Sequence, residues 1–232
     1  MSRPSRAGRR RRSCWTRWRR LGDDVLLGES LVSYLWCDAL LDPAHAAPLF
    51  TEAIACTQRS GDHLYASYVN NLAGVHALRA GDLPAARAYL RQAAQSIRII
   101  GDEDGRVSVN MGWVLRQDND PRSARSSFEE ALRVSRRNGD RYGIAYSSLG
   151  LACVATDAGD WNRAAVLHGI AQAFLDPTGQ PWEELEARYG QDSLGQVRAQ
   201  LGQEQFERAR ATGLALSLDE ALDVASGKAL PA

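Results

Sequence analysis

A nucleotide-binding phosphate loop needs a glycine, four further residues, and then Gly-Lys followed by a hydroxyl residue. The only lysine of the chain, Lys228, follows Gly227, which meets part of this requirement. Leu222 stands where the first glycine would be, and Ala229 stands where the hydroxyl residue would be. The sequence therefore predicts no nucleotide site, and it indicates no other cofactor.

Residues that could bind a metal or act as nucleophiles are too scattered to form a recognisable motif. The histidines never form HxxxH or HExxH, and they stand at positions 45, 63, 76 and 168. No Gly-x-Ser-x-Gly occurs, and no cysteine has a histidine beside it. Acidic residues cluster at 102–104 and 183–186, where the positive end of a helix dipole accounts for them. We therefore predict no catalytic residue and no metal ligand, and His168 is expected to be a packed core residue.

The net charge of the 232-residue chain is zero, but the charge is unevenly distributed. Residues 1–20 hold nine arginines and no acid, so the remaining residues carry a formal charge of −9. One interpretation is nucleic-acid binding, with arginines on phosphates and Trp15 and Trp18 stacking on bases. The other is a basic disordered tail, since this segment is too charged and too poor in aliphatic residues to fold alone.

The cellular compartment is indicated by the absence of membrane-spanning, secretory and paired-cysteine patterns in the sequence. No apolar run of about 18 residues could span a membrane, and no apolar stretch follows the basic N-terminus as in a secretory signal. The cysteines never form a CxxC pair and stand at positions 14, 37, 56 and 153. This usage is typical of reduced, mostly buried thiols, so we expect a cytoplasmic protein.

The elements that would position any site are indicated by a repeated two-residue step of glycine or asparagine followed by aspartate. It recurs about every twenty residues. The steps are Gly61-Asp62, Gly81-Asp82, Gly101-Asp102, Asn119-Asp120, Gly139-Asp140 and Gly159-Asp160. The surrounding pattern repeats at every second step, so the unit is a pair of helices just under forty residues long. Such a unit is typical of a helical solenoid.

Three columns of residues define one face of the second helix in each pair. A small residue comes first, at Ala46, Ala86, Ala124 and Ala164. A larger residue follows four positions later, at Phe50, Leu90, Phe128 and His168. Another alanine follows three positions after that, at Ala53, Ala93, Ala131 and Ala171. The first helix contributes small residues at Gly74, Gly112 and Ala152, where the two helices could cross closely.

Local signals place the helix ends. Asp82, Asp120 and Asp160 suit N-caps, because a carboxylate accepts the free N–H groups of the first turn. The preceding glycine suits the left-handed end of the helix before it. The predicted pairs are 24–40 with 44–60, 62–80 with 83–99, 102–117 with 120–138, and 140–158 with 160–176.

This arrangement resembles the tetratricopeptide repeat, in which a small residue of the first helix faces an A-x3-F-x2-A column of the second. The resemblance implies an all-α fold, a right-handed α-hairpin solenoid. We expect a basic tail over 1–20, four tetratricopeptide-like hairpins over 21–178, and a C-terminal helical cap over 179–232. In the cap, helices are predicted over 182–201, over 203–212 with a stop at Gly213, and from a capping box at Ser217 to Ala225.

The cap carries a second resemblance. The run from Leu201-Gly202 through Phe206, Ala209 and Gly213 to Ala221 is similar to the C-terminal end of bacterial AfsR- and LuxR-like regulatory ATPases and transcriptional regulators. The resemblance implies the sensor or regulatory part of such a protein. The ATPase part and a helix-turn-helix of that group are missing from this sequence.

In the tetratricopeptide repeat the first helices line a concave groove, so the resemblance implies that a protein or peptide binds there. The positions carried over are Tyr68, Asn71, Val75 and Arg79, then Arg106, Val109, Trp113 and Arg116, and finally Tyr146, Leu149 and Cys153. Tyrosine, tryptophan and arginine are common interface anchors. From the residues alone, Tyr68, Trp113 and Tyr146 could equally be core residues between adjacent hairpins.

The sequence therefore predicts a non-catalytic module for protein–protein interaction, as part of a bacterial regulator. Two alternatives remain open at this point. One is a small-molecule or peptide sensor that uses the same groove, and the other is a nucleic-acid-binding regulator that uses the arginine-rich tail.

Overall fold

The computed structural model describes residues 15–38 and 43–228, and all regular secondary structure in these ranges is helical. The all-α prediction is therefore confirmed. The chain divides into two compact units, Met1–Glu103 and Asp104–Ala232. In the described ranges no helix is both long enough and apolar enough to cross a membrane.

The first unit contains a helix over residues 15–21, α1, followed by two helical hairpins. Their helices are α2 (Asp24–Asp38), α3 (Pro43–Ser60), α4 (His63–Arg79) and α5 (Leu83–Ile99). The second unit contains two further hairpins and a C-terminal group of helices. These are α6 (Gly105–Gln117), α7 (Pro121–Asn138), α8 (Arg141–Asp157), α9 (Trp161–Leu175), a 3-10 turn (Asp176–Thr178), α10 (Glu184–Leu201), α11 (Gln203–Ala215) and α12 (Leu218–Ala225).

The predicted left-handed turn is present at each junction. The glycines of the repeated step adopt positive φ, as at Gly81 (78°) and Gly159 (74°), and Asn119 does the same at 58°. At four junctions the aspartate that follows caps the next helix with its side chain, as where Asp82 accepts a hydrogen bond from the N–H of Ala85 at 3.0 Å. Helix α6 begins three residues later than predicted because Asp104, rather than Asp102, caps it through the N–H of Arg106.

The small-residue columns lie at the helix crossings, as predicted. Ala86, Ala124 and Ala164 are fully buried. A side chain at Gly112 would collide with the ring of Phe128, since a Cβ there would lie 2.7 Å from it. The close crossing of each hairpin is therefore set by glycine or alanine on one helix and by the bulky residue of the other.

The disorder predicted for residues 1–20 is wrong for residues 15–20, which are helical; residues 1–14 lie outside the described ranges. Trp15 is buried in the core of the first unit, with its ring 4.7 Å from that of Tyr34. Arg19 donates to Glu52 at 2.6 Å. Because burial of two tryptophan-bearing turns offsets the cost of ordering them, the segment folds against α2 and α3 rather than alone.

The C-terminal helices pack onto α9 within the second unit. Helix α11 does not stop at Gly213 as predicted but runs on to Ala215. A Cβ at Gly213 would lie 2.0 Å from the carbonyl oxygen of Val166, so this glycine allows α11 to cross α9 closely instead of ending the helix. The capping box predicted at Ser217 is present, with Glu220 as its partner.

Candidate functional site

Five of the groove residues predicted for the second unit lie on one surface of α6 and α8, and α10 covers that surface. We call it the α6–α8 face and define it by Trp113, Arg116, Tyr146, Leu149 and Cys153. A later segment of the same chain therefore packs on the residues that were predicted to bind a partner.

Trp113 lies at the centre of the α6–α8 face and is fully buried. Its ring centroid is 4.9 Å from that of Phe128 on one side and 4.9 Å from that of Tyr189 of α10 on the other. Its indole N–H has no hydrogen-bond acceptor among the described residues. A buried donor without an acceptor is uncommon, because burial removes the water that would otherwise bind it.

Arg116 holds the edge of the face. Its guanidinium donates two hydrogen bonds to Asp157, at 2.6 and 2.8 Å, and lies 5.5 Å from the ring centroid of Tyr189. Burial lowers the pKa of Arg116, but the hydrogen bonds to Asp157 and the charge interactions with Cys153, Asp157 and Tyr189 together outweigh it and leave the pKa above its usual value. Gln117 donates to the hydroxyl of Tyr189, so three groups around the end of α6 hold one ring of α10.

Tyr146 anchors the segment that leads into α10. Its ring stacks on Tyr142 at 4.2 Å and lies 5.1 Å from Trp182. Its hydroxyl accepts the backbone N–H of Glu183 at 3.1 Å and also bonds the hydroxyl of Tyr142. Burial raises the pKa of Tyr146 far above its usual range and that of Tyr142 to about 12, so both rings stay neutral.

Leu149 and Cys153 complete the face under the middle of α10. Gly190 lies over Leu149, because a Cβ at Gly190 would be 3.3 Å from that side chain. The Cys153 thiol donates to the carbonyl oxygen of Tyr189 at 3.7 Å, and burial raises its pKa to about 12. Cys56 is likewise a buried free thiol, so the expectation of reduced, buried cysteines holds for these two residues. Cys14 lies outside the described residues.

The other predicted groove residues are not brought onto this face. Arg106 lies exposed at the start of α6, where it pairs with Asp104 at 3.2 Å. Tyr68, Asn71 and Arg79 lie on α4 in the first unit. Tyr68 is half-buried against the core of that unit, and Asn71 is buried. For these residues partner binding stays a prediction.

The position of α10 on this face was not predicted from the sequence. The signal for it is the pair of aromatic residues Trp182 and Tyr189 in the segment that breaks the repeat. A buried polar chain was not predicted either: the Ser193 hydroxyl lies 2.7 Å from both Thr156 Oγ1 and His168 Nε2. Ser193 and His168 are both buried, so this hydrogen bond lies in the interior of the second unit.

The described residues also bear on nucleic-acid binding by the N-terminal segment and on metal binding. Trp15 is buried, so it is not available to stack on a base, and Arg19, whose side chain is 41% exposed, pairs with Glu52. Nucleic-acid binding by this segment stays a prediction. The rest of the arginine run, residues 1–14, lies outside the described ranges. Within those ranges no cluster of three or more His, Cys, Asp or Glu could hold a metal ion.

Comparison with known families supports the class of this fold. Residues 63–137, which span α4 to α7, match the family model of the tetratricopeptide repeat. The match covers about a third of the chain, and the helical hairpins beside it follow the same pattern. Searches of curated proteins and of solved structures gave no significant match. The similarity to AfsR- and LuxR-like regulators stays a prediction.

Proposed function

We propose that this protein is a non-catalytic scaffold whose α6–α8 face binds a helical segment of a protein partner. Tetratricopeptide repeats bind protein partners and are typically non-catalytic, which supports the general role. The observation that carries the specific site is that this face already holds a helix, α10, through the tyrosine, tryptophan and arginine contacts described above. A partner helix with similar chemistry would take the place of α10.

The way α10 is attached favours exchange. Only five of its positions are buried: Leu185, Glu186, Gly190, Ser193 and Val197. Leu185 and Val197 are the large apolar residues among them, and burial of each contributes about 1.5–3 kcal/mol. The other apolar residues of the helix that face its neighbours, among them Tyr189 and Leu194, are only half-buried. A partner with more apolar residues at these positions would bind more strongly than α10 does.

The indole N–H of Trp113 gives a reason why a partner helix would bind this face in preference to α10. Its buried N–H has no acceptor among the described residues while α10 is in place. Leaving such a donor unpaired costs about 1–3 kcal/mol. A partner helix with an asparagine or glutamine oxygen at this position would satisfy the donor and gain specificity.

The test uses a fluorescein-labelled peptide of residues 182–201 and the full chain. The variant Tyr189→Ala removes the ring that α10 places between Trp113 and Arg116. We expect fluorescence anisotropy to show peptide binding about tenfold tighter than to the wild type, because truncating an anchor of this kind costs roughly 1.4 kcal/mol or more. Gln196→Ala, at an exposed position of the same helix, should leave peptide binding unchanged.

A second variant tests whether the peptide binds at the α6–α8 face. Adding Trp113→Phe to Tyr189→Ala keeps an apolar ring in the core but shortens the contact surface, so peptide binding should weaken again. If the peptide binds Tyr189→Ala and the wild type equally, or if binding ignores Trp113→Phe, the α6–α8 face is not the binding site.

We place this binding role in a regulatory protein, as the similarity of Leu201–Ala221 to the ends of bacterial regulators suggests. In support, this segment forms α11 and the start of α12, and α11 packs closely on α9 beside the α6–α8 face. Crosslinking of the full chain in cells, with Tyr189→Ala as the exposed form, would test it. Recovery of partners without any regulatory or signalling protein would contradict this context.

A further inference from the structure

Exposed aliphatic side chains cluster at the turn between α1 and α2 in the first unit. Leu21 is 64% exposed, Val25 is 44% exposed and Leu26 is 36% exposed. The three lie within six residues of the chain, across a turn in which the N–H of Asp23 donates to the carbonyl oxygen of Trp18 at 3.2 Å. Neighbouring aliphatic side chains in water form a patch that favours contact with an apolar phase.

Two arginines share the outer face of α1 with Leu21. Arg17 and Arg20 precede Leu21 at the spacing of one helical face, and both are exposed. Neither forms an ion pair with the described residues, and the Arg17 guanidinium lies 5.5 Å from the ring centroid of Trp18. Trp15 and Trp18 lie on the other face of α1, against the core of the first unit. We call the exposed surface the α1–α2 corner and define it by Arg17, Arg20, Leu21, Val25 and Leu26.

The sequence around the corner is cationic. Residues 1–38 hold nine arginines and four acidic residues, and six of those arginines precede α1. Two of the acidic residues are already engaged, because Asp24 pairs with Arg59 at 2.6 Å and Asp23 accepts the N–H of Leu26 at 3.0 Å. Positive charge in excess therefore stands beside the aliphatic side chains of the corner.

We infer that the α1–α2 corner binds the surface of an anionic phospholipid bilayer. The aliphatic side chains enter the boundary between headgroups and acyl chains, and the arginines bind lipid phosphates. A single weak apolar contact gives only marginal binding, and a polybasic segment beside it supplies the second signal that stable attachment needs. This inference concerns the first unit and does not depend on the function proposed for the α6–α8 face.

Two other classes of partner fit the corner less well. A nucleic acid offers phosphates to the arginines but offers no apolar phase to exposed aliphatic side chains, and Trp15, which could have stacked on a base, is buried. Protein interfaces are anchored mostly by tryptophan, tyrosine and arginine, and leucine and valine are under-represented among their anchors. A bilayer surface accommodates the aliphatic side chains and the arginines together.

The experiment is co-sedimentation of the full chain with vesicles of phosphatidylcholine that contain about one quarter phosphatidylglycerol. We expect binding to these vesicles and at least tenfold weaker binding to phosphatidylcholine alone. The double variant Leu21→Ser and Val25→Ser should lower partitioning about tenfold or more, because it removes the side chains that the bilayer buries. The double variant Arg17→Gln and Arg20→Gln should lower it about twentyfold, or roughly fivefold for each arginine.

Matched controls come from exposed residues elsewhere in the chain. Leu218→Ser, at a position that is 52% exposed, and Arg91→Gln, on the exposed surface of α5, should leave vesicle binding unchanged. Circular dichroism of each variant checks that the helices are intact. The inference is wrong if the wild type does not bind the anionic vesicles, or if the serine substitutions leave binding unchanged. If the chain binds a DNA duplex but not the vesicles, the basic segment recognises nucleic acid instead.

Discussion

Glycine has two different uses in this chain, and the surroundings of each residue distinguish them. Gly139 ends α7 with φ of 65°, and a Cβ there would meet nothing within 4 Å. Gly213 lies inside α11, and a Cβ there would lie 2.0 Å from a backbone carbonyl oxygen of α9. Gly169 of α9 lies opposite Gly213 at this crossing, since a Cβ at Gly169 would be 2.2 Å from the carbonyl oxygen of Arg210. Backbone atoms cannot rotate away, so the crossing of α9 and α11 requires both glycines.

Gly213→Ala should therefore destabilise the protein. The added methyl group forces α11 away from α9, and overpacking of this kind costs about 1–3 kcal/mol. Gly195→Ala is the matched control, because that glycine lies within α10 and a Cβ there meets nothing within 4 Å. It should instead stabilise by about 0.5–1 kcal/mol through helix propensity. Urea unfolding measures both changes, and a loss of stability common to both variants would contradict the close crossing.

His168 makes stability depend on pH. Burial, and then the charge of Arg210, lower the pKa of its imidazole from 6.5 to about 4 in the folded protein. As the pH falls, the unfolded chain takes up the proton before the folded protein does, and this favours unfolding. The folded protein therefore keeps its full stability above pH 6.5 and loses stability progressively toward pH 4. Between pH 7 and 4.5 the loss is about 2–3 kcal/mol.

The measurement compares the free energy of urea unfolding of the wild type with that of His168→Leu at the two pH values. The leucine variant should lose about 2–3 kcal/mol less than the wild type on acidification. Burial also lowers the pKa of His76, but that residue is present in both proteins and cancels in the comparison. Equal losses in the two proteins would show that His168 does not titrate as described.

At the scale of the helix, the same aspartate position is used in two ways. Asp120 caps α7, because its side chain accepts the N–H of Ser123 at 3.1 Å. Asp140 occupies the equivalent position before α8 but makes no capping hydrogen bond with its side chain. The favourable interaction of a carboxylate with the helix dipole remains in both cases.

Asp120→Ala should cost about 1 kcal/mol, the typical value for losing an N-cap hydrogen bond. Asp140→Ala should cost less, since there is no such bond to lose. Thermal or urea unfolding of the two variants side by side provides the measurement. If Asp140→Ala is as destabilising as Asp120→Ala, the capping geometry at one of these helices differs from that described.

At the scale of the whole molecule, what could be predicted from sequence was what is encoded locally. The Gly-Asp steps specify a helix end and a helix start within a few residues, so the hairpins could be placed closely in advance. The contact of Tyr189 with Trp113 could not, because it depends on where a non-repeating segment docks. Gly213 was misread for the same reason: a glycine at a helix crossing and a glycine at a helix end look alike until the partner helix is known.

Helices α10 to α12 close the second unit, so removing them should expose it to solvent. A chain ending at Pro177 loses the cover over Trp113, Tyr146 and Leu149, together with the helix that packs on α9 at Gly169. Contiguous apolar surface of this kind promotes association. We expect this truncation to bind the dye ANS, to lose helix content by circular dichroism and to aggregate in sedimentation.

A chain ending at Gly227, which keeps all three helices, is the control and should behave like the wild type. A monomeric, fully helical chain ending at Pro177 that binds no dye would mean that the α6–α8 face is stable without a covering helix, and that α10 is an accessory rather than part of the fold.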